Sequence, residues 1–279
     1  MPRIALFQMT ASTDVDANIA ALQGAVREAR DGGATMLFTP EMSGMLDRDR
    51  TRASANIRQE EDDRVLSAMR DAAADAGIWI ALGSLAVDLG DGRWANRSFV
   101  IDDNGNIAAR YDKIHMFDVT LSNGESWRES NAYAPGDGLG IVENTPVGRL
   151  GLSVCYDIRF PALFEALGRA KCDCIAIPAA FTVPTGKAHW HVLQRARAIE
   201  ASAFVMAAAQ VGDHADGRST YGHSLAIDPW GEVLLDMGGE TSAIGFAQVD
   251  LARVKAVRDQ VPSLDNKRPI RAAAGQGPQ

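Results

Sequence analysis

Three short apolar runs in the first third of the chain, residues 4–9, 36–39 and 79–85, alternate with segments of helical spacing. Between the first two, Ile19, Leu22 and Val26 fall on one helical face from about residue 14 to 30, and Gly32-Gly33 supplies the stop. Between the second and third, a helix is expected at about residues 61–76. Apolar runs without polar alternation mark strands buried on both faces, which need layers above and below them. This rhythm of strand, helix and strand commits the chain to an α/β layered fold.

The rhythm continues beyond residue 95. Residues 97–101 and 107–111 flank Asp102-Asp103-Asn104-Gly105-Asn106, whose turn residues predict a hairpin. An irregular region over residues 114–138 is expected to rim a site, because long loops inside compact domains carry function. A hairpin-like pair then leads to Gly151-Leu152-Ser153-Val154-Cys155-Tyr156-Asp157-Ile158-Arg159-Phe160-Pro161. Its apolar start, residues 150–154, reads as a strand, and a helix is expected to begin at Pro161. Cys155 therefore stands at a strand-to-helix turn, where free backbone N–H groups favour an anion.

Further on, residues 172–178 read as a strand, 181–186 as a loop and 187–201 as a helix. More strands are expected at 204–209, 224–228, 232–235 and 243–249. No repeat or linker divides the chain, so residues 1–271 are expected to form a single domain and 272–279 a flexible tail.

Charge and cysteine usage narrow the function. With 36 acidic and 28 basic side chains, a net charge of −8 and no basic block, nucleic acid and anionic membranes are poor partners. The apolar run after Met1-Pro2-Arg3 is too short for a secretory signal, and no later run approaches a membrane span, so a cytoplasmic location is expected. Three cysteines make no disulfide framework and fit free thiols in a reducing compartment. They also lack the paired C-x-x-C spacing of zinc sites, and neither metal nor cofactor is expected.

Glu41 ends the second strand, Lys113 follows the hairpin, and Cys155 ends a later strand. A thiolate, a proton-shuttling carboxylate and an ammonium facing a developing oxyanion form a complete set for amide hydrolysis. Sites of α/β sheets lie at carboxyl strand ends, which is compatible with the three meeting. A Cys–His pair is the competing arrangement, with His115, His189, His191, His214 and His223 available. Structural hydrogen bonding is the expectation for these histidines, and core or pocket-wall packing for Tyr156, Trp190 and Trp230.

Thr39-Pro40-Glu41, Tyr111-Asp112-Lys113-Ile114-His115 and the Cys155 segment resemble, in order, the three signature segments of the nitrilase, or carbon–nitrogen hydrolase, superfamily. Ala188-His189-Trp190, residues 195–200, Tyr221-Gly222-His223-Ser224 and Asp228-Pro229-Trp230-Gly231 extend the likeness toward its Nit branch, which includes deaminated glutathione amidase and omega-amidase. The resemblance implies an αββα sandwich and a homodimer or higher homo-oligomer assembled through a helical face. It implies that Glu41, Lys113 and Cys155 are base, oxyanion stabiliser and nucleophile, with the Tyr156 backbone N–H as second oxyanion donor. Glu129 matches a further acid that positions the lysine or the substrate, and Arg159, Phe181 and Thr185 match pocket-lining positions. The expected activity is a cofactor-free amidase acting on a small carboxamide, an omega-amide of a keto acid or deaminated glutathione. Nitrile and N-carbamoyl hydrolysis are the sibling reactions, and a non-catalytic scaffold is the alternative from another class.

Overall fold

The computed structural model describes residues 1–120, 124 and 126–270. The expected tail at 272–279 and part of the expected rim, Asn123 and Glu125, lie outside the described residues.

Two six-stranded sheets carry the fold. The first runs, in spatial order, Ala243–Gln248, Arg3–Gln8, Met36–Phe38, Trp79–Asp88, Trp94–Ile101 and Ile107–Asp112. The second runs Val233–Asp236, Leu225–Ile227, Phe204–Ala207, Cys174–Ala176, Gly148–Leu152 and Gly140–Thr145. Each has parallel pairing at its centre and antiparallel strands outside.

The two-residue period of a strand explains why these runs are apolar throughout. Ile4, Leu6, Met36 and Phe38 point into a core shared with Leu150, Leu152, Ala176 and Met206 of the second sheet. Ala5, Phe7 and Leu37 point the other way, onto Leu22, Val26, Leu66 and Met69 of the helices Val15–Asp31 and Arg64–Ala76. Each such aliphatic side chain gains about 1.5–3 kcal/mol from full burial. The helices Pro161–Arg169 and Val183–Ala201 cover the second sheet through Leu163, Phe164, Leu167, Trp190 and Ala198. The order is helices, sheet, sheet, helices: the αββα sandwich. No described helix is long and apolar enough to cross a membrane.

Several local expectations need correcting. The loop expected at residues 181–186 is helical from Val183, because Pro184 fits the first turn, where its missing N–H is not needed. The 114–138 region contains a small antiparallel ribbon, Asp118–Thr120 with Ser126–Arg128, and a 3-10 turn at Glu129–Asn131. The strand before Cys155 ends at Leu152, and Leu251–Gln260 forms a helix that the pattern did not predict. Trp230 is 47% exposed rather than in a core or pocket wall, because it occupies the turn joining Leu225–Ile227 to Val233–Asp236 at the sheet edge.

Candidate active site

Glu41 sits just past the strand Met36–Phe38, in a turn pressed against the neighbouring strand. A Cβ at Gly83 would come within 2.1 Å of the Thr39 carbonyl oxygen, so that strand needs glycine there. The Gly83 N–H donates to Thr39 Oγ1 at 3.0 Å, and Gln210 Nε2 donates to the Glu41 carbonyl at 3.0 Å, fixing the turn from two sides. Lys113 directly follows Ile107–Asp112 and is held by its N–H on the Asn96 carbonyl at 3.0 Å.

Cys155 follows Gly148–Leu152 and opens the 3-10 turn Cys155–Arg159, with the α-helix starting at Pro161. Its φ of 49° lies in the left-handed region, a strained conformation for a non-glycine residue. The turn is held by the Cys155 N–H on the Pro178 carbonyl at 2.8 Å and by the Val154 N–H on Asp157 Oδ2 at 2.9 Å. Asp157 is fully buried and also accepts from Tyr111 Oη at 2.8 Å and the His115 N–H at 3.0 Å. One carboxylate thus ties the end of the Lys113 strand to the Cys155 turn.

These turns bring Glu41, Lys113, Glu129 and Cys155 together beside a cavity of about 450 Å³. Lys113 Nζ donates to Glu41 Oε1 at 3.1 Å and to Glu129 Oε1 and Oε2 at 3.0 and 2.8 Å. Asn96 Nδ2 bridges the same carboxylates, at 2.9 Å to Glu41 Oε1 and 3.1 Å to Glu129 Oε1. The second oxygen of each is held by backbone, Glu41 Oε2 by the Ala180 N–H at 2.9 Å and Glu129 Oε2 by the Phe117 N–H at 2.6 Å. Three-point fixation leaves Glu41 one orientation, beside the thiol.

Electrostatics sets the resting protonation. Burial pushes the Cys155 thiol well above the ordinary thiol range, the Glu41 carboxylate adds to this, and Lys113 only partly opposes it. The free N–H groups read from the sequence do not make this a resting thiolate. Burial alone would lower Lys113, but Glu129, Glu41 and Cys155 raise it well above the usual lysine value, so the ammonium is firmly charged.

The cavity wall includes Tyr156, Phe181 and Thr185 but not Arg159. The Arg159 guanidinium lies 5.8 Å from the Tyr156 ring centroid and 5.4 Å from that of Phe181, and Nη1 contacts His189 Nδ1 at 3.3 Å. Reaching back from four residues beyond Cys155 presumes α-helical winding. In a 3-10 turn the residue four positions on is rotated about a third of a turn from the first.

Among the described residues no histidine lines the cavity, and the three cysteines do not converge as metal ligands. His115 Nδ1 pairs with Asp157 at 2.7 Å, and His191 and His223 flank Asp236 at 2.9 Å each. Sequence reasoning missed Asn96, which bridges the two carboxylates, and Asp157, which ties the Lys113 strand to the Cys155 turn. It also missed the arginines at the cavity mouth, Arg48, Arg50, Arg128 and Arg218. For Arg128, adjacency to Glu129 was the available signal.

Similarity to known proteins extends over most of the chain. Residues 3–259 match the carbon–nitrogen hydrolase family. A deaminated glutathione amidase of Yersinia enterocolitica is 38% identical over 272 residues, covering 95% of this chain and 92% of that one. Saccharomyces cerevisiae Nit3, a member of branch 10 of the nitrilase superfamily, superposes with a TM-score of 0.83 at 25% identity, covering 94% of each chain. A mutant amidase from Nesterenkonia sp. AN1, in a structure showing Michael addition of acrylamide at its active site cysteine, superposes with a TM-score of 0.78 at 25% identity, covering 94% of this chain and 98% of that one. The chain belongs to the carbon–nitrogen hydrolase family of the nitrilase superfamily and is an amide-hydrolysing enzyme acting on a small molecule.

Proposed function

We propose that the enzyme hydrolyses a small carboxamide, of the omega-amide or deaminated glutathione class, to a carboxylate and ammonia through a thioester on Cys155. The observation that carries this reading is the fixed Glu41 carboxylate, held by the Lys113 ammonium and the Ala180 N–H beside the buried Cys155 thiol. Glu41 takes the Cys155 proton as sulfur attacks the carbonyl carbon, so the thiolate forms only where it is consumed. The oxygen of the tetrahedral intermediate becomes negative against Lys113 Nζ and the Tyr156 N–H. Tyr156 is the second residue of the 3-10 turn, where a backbone N–H has no partner within the turn.

Collapse breaks the C–N bond, Glu41 returns the proton to nitrogen, and ammonia leaves. Water then gives a proton to Glu41 and its oxygen to the thioester carbon, and the released sulfur regains the proton. Glu129 holds Lys113 in place throughout. The name of the Yersinia enterocolitica relative supports the amide class.

An ammonia-release screen across keto-acid omega-amides, deaminated peptides, N-carbamoyl compounds and nitriles, with intact-mass analysis, tests the proposal. Amides are expected to be the best substrates, with an acyl adduct on Cys155. Faster turnover of nitriles or N-carbamoyl compounds, or an adduct only on Cys172 or Cys174, would overturn it.

A further inference from the structure

Outside the cavity, three ligand-bearing side chains meet at the edge of the second sheet. His191 comes from the helix Val183–Ala201, His223 from the turn between the short strand Ser219–Tyr221 and Leu225–Ile227, and Asp236 ends the edge strand Val233–Asp236. His191 Nε2 lies 2.9 Å from Asp236 Oδ2, and His223 Nδ1 lies 2.9 Å from Asp236 Oδ1. One ligand atom from each of the three residues lies within 4.8 Å of those of the other two.

The surrounding structure holds these groups in place. His223 has a φ of 53°, in the left-handed region that a non-glycine residue occupies only when its surroundings enforce it. Its N–H donates to the Gly238 carbonyl at 2.7 Å, and its own carbonyl accepts Nε1 of the fully buried Trp190 at 2.7 Å. Asp236 Oδ1 also accepts the Gly238 N–H at 2.9 Å. The Tyr221 ring stacks on His223 with centroids 4.5 Å apart and meets His191 edge-on at 6.2 Å. A Cβ at Gly239 would come within 3.1 Å of His223 Nε2, so backbone covers that edge of the ring while Nδ1 faces Asp236. Among the described residues no lysine or arginine comes within ion-pair distance of Asp236, whose ionisable partners are these two imidazoles.

We propose that His191, His223 and Asp236 bind a divalent transition-metal ion of the zinc class, which ties the edge strand to the helix. Two imidazoles and one carboxylate suit zinc, nickel or copper, whereas calcium and magnesium take oxygen ligands. Metal–ligand bonds of about 2.0–2.2 Å set neighbouring ligand atoms about 2.9–3.5 Å apart, so both nitrogen-to-oxygen distances already suit a shared ion. His191 Nε2 and His223 Nδ1 give their lone pairs to the ion, and each neutral ring keeps its proton on the other nitrogen. Asp236 supplies the charge. Its neighbours Gly238 and Tyr221 keep the ligand set in one arrangement, as the outer contacts of a metal site must. A dication is also favoured by a chain of net charge −8. This departs from the metal-free expectation drawn from residue spacing, because His191 lies 45 residues and His223 13 residues from Asp236 along the chain.

The test is calorimetric titration and thermal melting with Zn2+ on tag-free, chelator-stripped protein, in a Cys155→Ala background so that the catalytic thiol does not compete for the ion. One Zn2+ per chain is expected to bind saturably. The melting temperature should rise by roughly 5 °C when free Zn2+ stands a hundredfold above Kd. His191→Ala and Asp236→Asn, each added to that background, should weaken binding by roughly tenfold or more, since each removes one of only three protein ligands. His191 is on the helix surface, and Asp236→Asn keeps an acceptor for the ring nitrogens while losing the charge, so both variants should fold, with circular dichroism as the check. No saturable binding of Zn2+ or Ni2+, no rise in melting temperature at saturation, or affinity unchanged in both variants would overturn the site and leave Asp236 as a hydrogen-bond acceptor for two imidazoles. No step of the test uses ammonia release, so its outcome is independent of the amidase reading.

Discussion

Cys155, Cys172 and Cys174 are all buried thiols, and burial pushes all three above the ordinary range. Their neighbours differ. Cys172 and Cys174 sit in the core among Leu150, Leu167 and Phe204, while Cys155 faces the cavity with Glu41 and Lys113 beside it. Burial alone thus gives an inert sulfur. In the proposed reaction, a fixed carboxylate that accepts the proton and an ammonium that faces the developing oxyanion turn the same atom into a nucleophile.

The sharpest way to break this comparison is to exchange sulfur for oxygen at each position. Cys155→Ser is expected to lose ammonia release by several powers of ten, because an alkoxide is far harder to form than a thiolate. Cys174→Ser should retain turnover while lowering the melting temperature, since it places a hydroxyl in an apolar core. Comparable activity loss in both would erase the distinction.

Removing the proton acceptor is expected to cost roughly two to four powers of ten in kcat for Glu41→Gln, with the fold retained. Lys113→Arg should also fail, because a planar guanidinium cannot occupy the place of a compact ammonium held by three carboxylate contacts. Steady-state kinetics alongside circular dichroism separates loss of chemistry from loss of fold.

A smaller effect is expected when the clamp is loosened. Asn96→Ala removes the bridge between Glu41 and Glu129 and should lower kcat by about tenfold, the scale of one charge-assisted hydrogen bond lost from a positioned group. Unchanged kcat would make Lys113 and the two backbone donors sufficient.

The smallest effect concerns pH. The Cys172 thiol is pushed up to about 11 from its ordinary 9.0, chiefly by burial, so folding favours its protonated form. That contribution is full below about pH 9 and is lost as pH rises toward 11. A melting-temperature profile should fall less steeply across this window in Cys172→Ala than in wild type. Parallel profiles would rule out a contribution from this thiol.

How much was legible in the sequence follows the range of each interaction. Apolar runs and helical spacing are local, so the strands Arg3–Gln8, Met36–Phe38 and Trp79–Asp88 and the helix Val15–Asp31 could be read within a few residues. The helix Leu251–Gln260 could not, because only Val254 and Val257 are buried and its apolar face is too narrow to announce itself. The start of Val183–Ala201 was obscured by a proline that reads equally well as loop or first turn.

The sequence by itself determined the layered α/β class, the chemical types at Glu41, Lys113 and Cys155, and their places at strand ends. These depend on residue identity and local period alone. Only the tertiary structure decided that Asn96 and Asp157 hold the site together, that the resting thiol keeps its proton, and that Arg48 and Arg218 rather than Arg159 face the cavity. Asn96 lies 55 residues from Glu41 along the chain and 33 from Glu129, so no local pattern could show that one amide bridges them. The direction of Arg159 turns on a single choice between 3-10 and α-helical winding at Cys155. That choice is set by the Pro178 carbonyl and the Asp157 carboxylate packed around the turn, and an isolated segment has only the second of them.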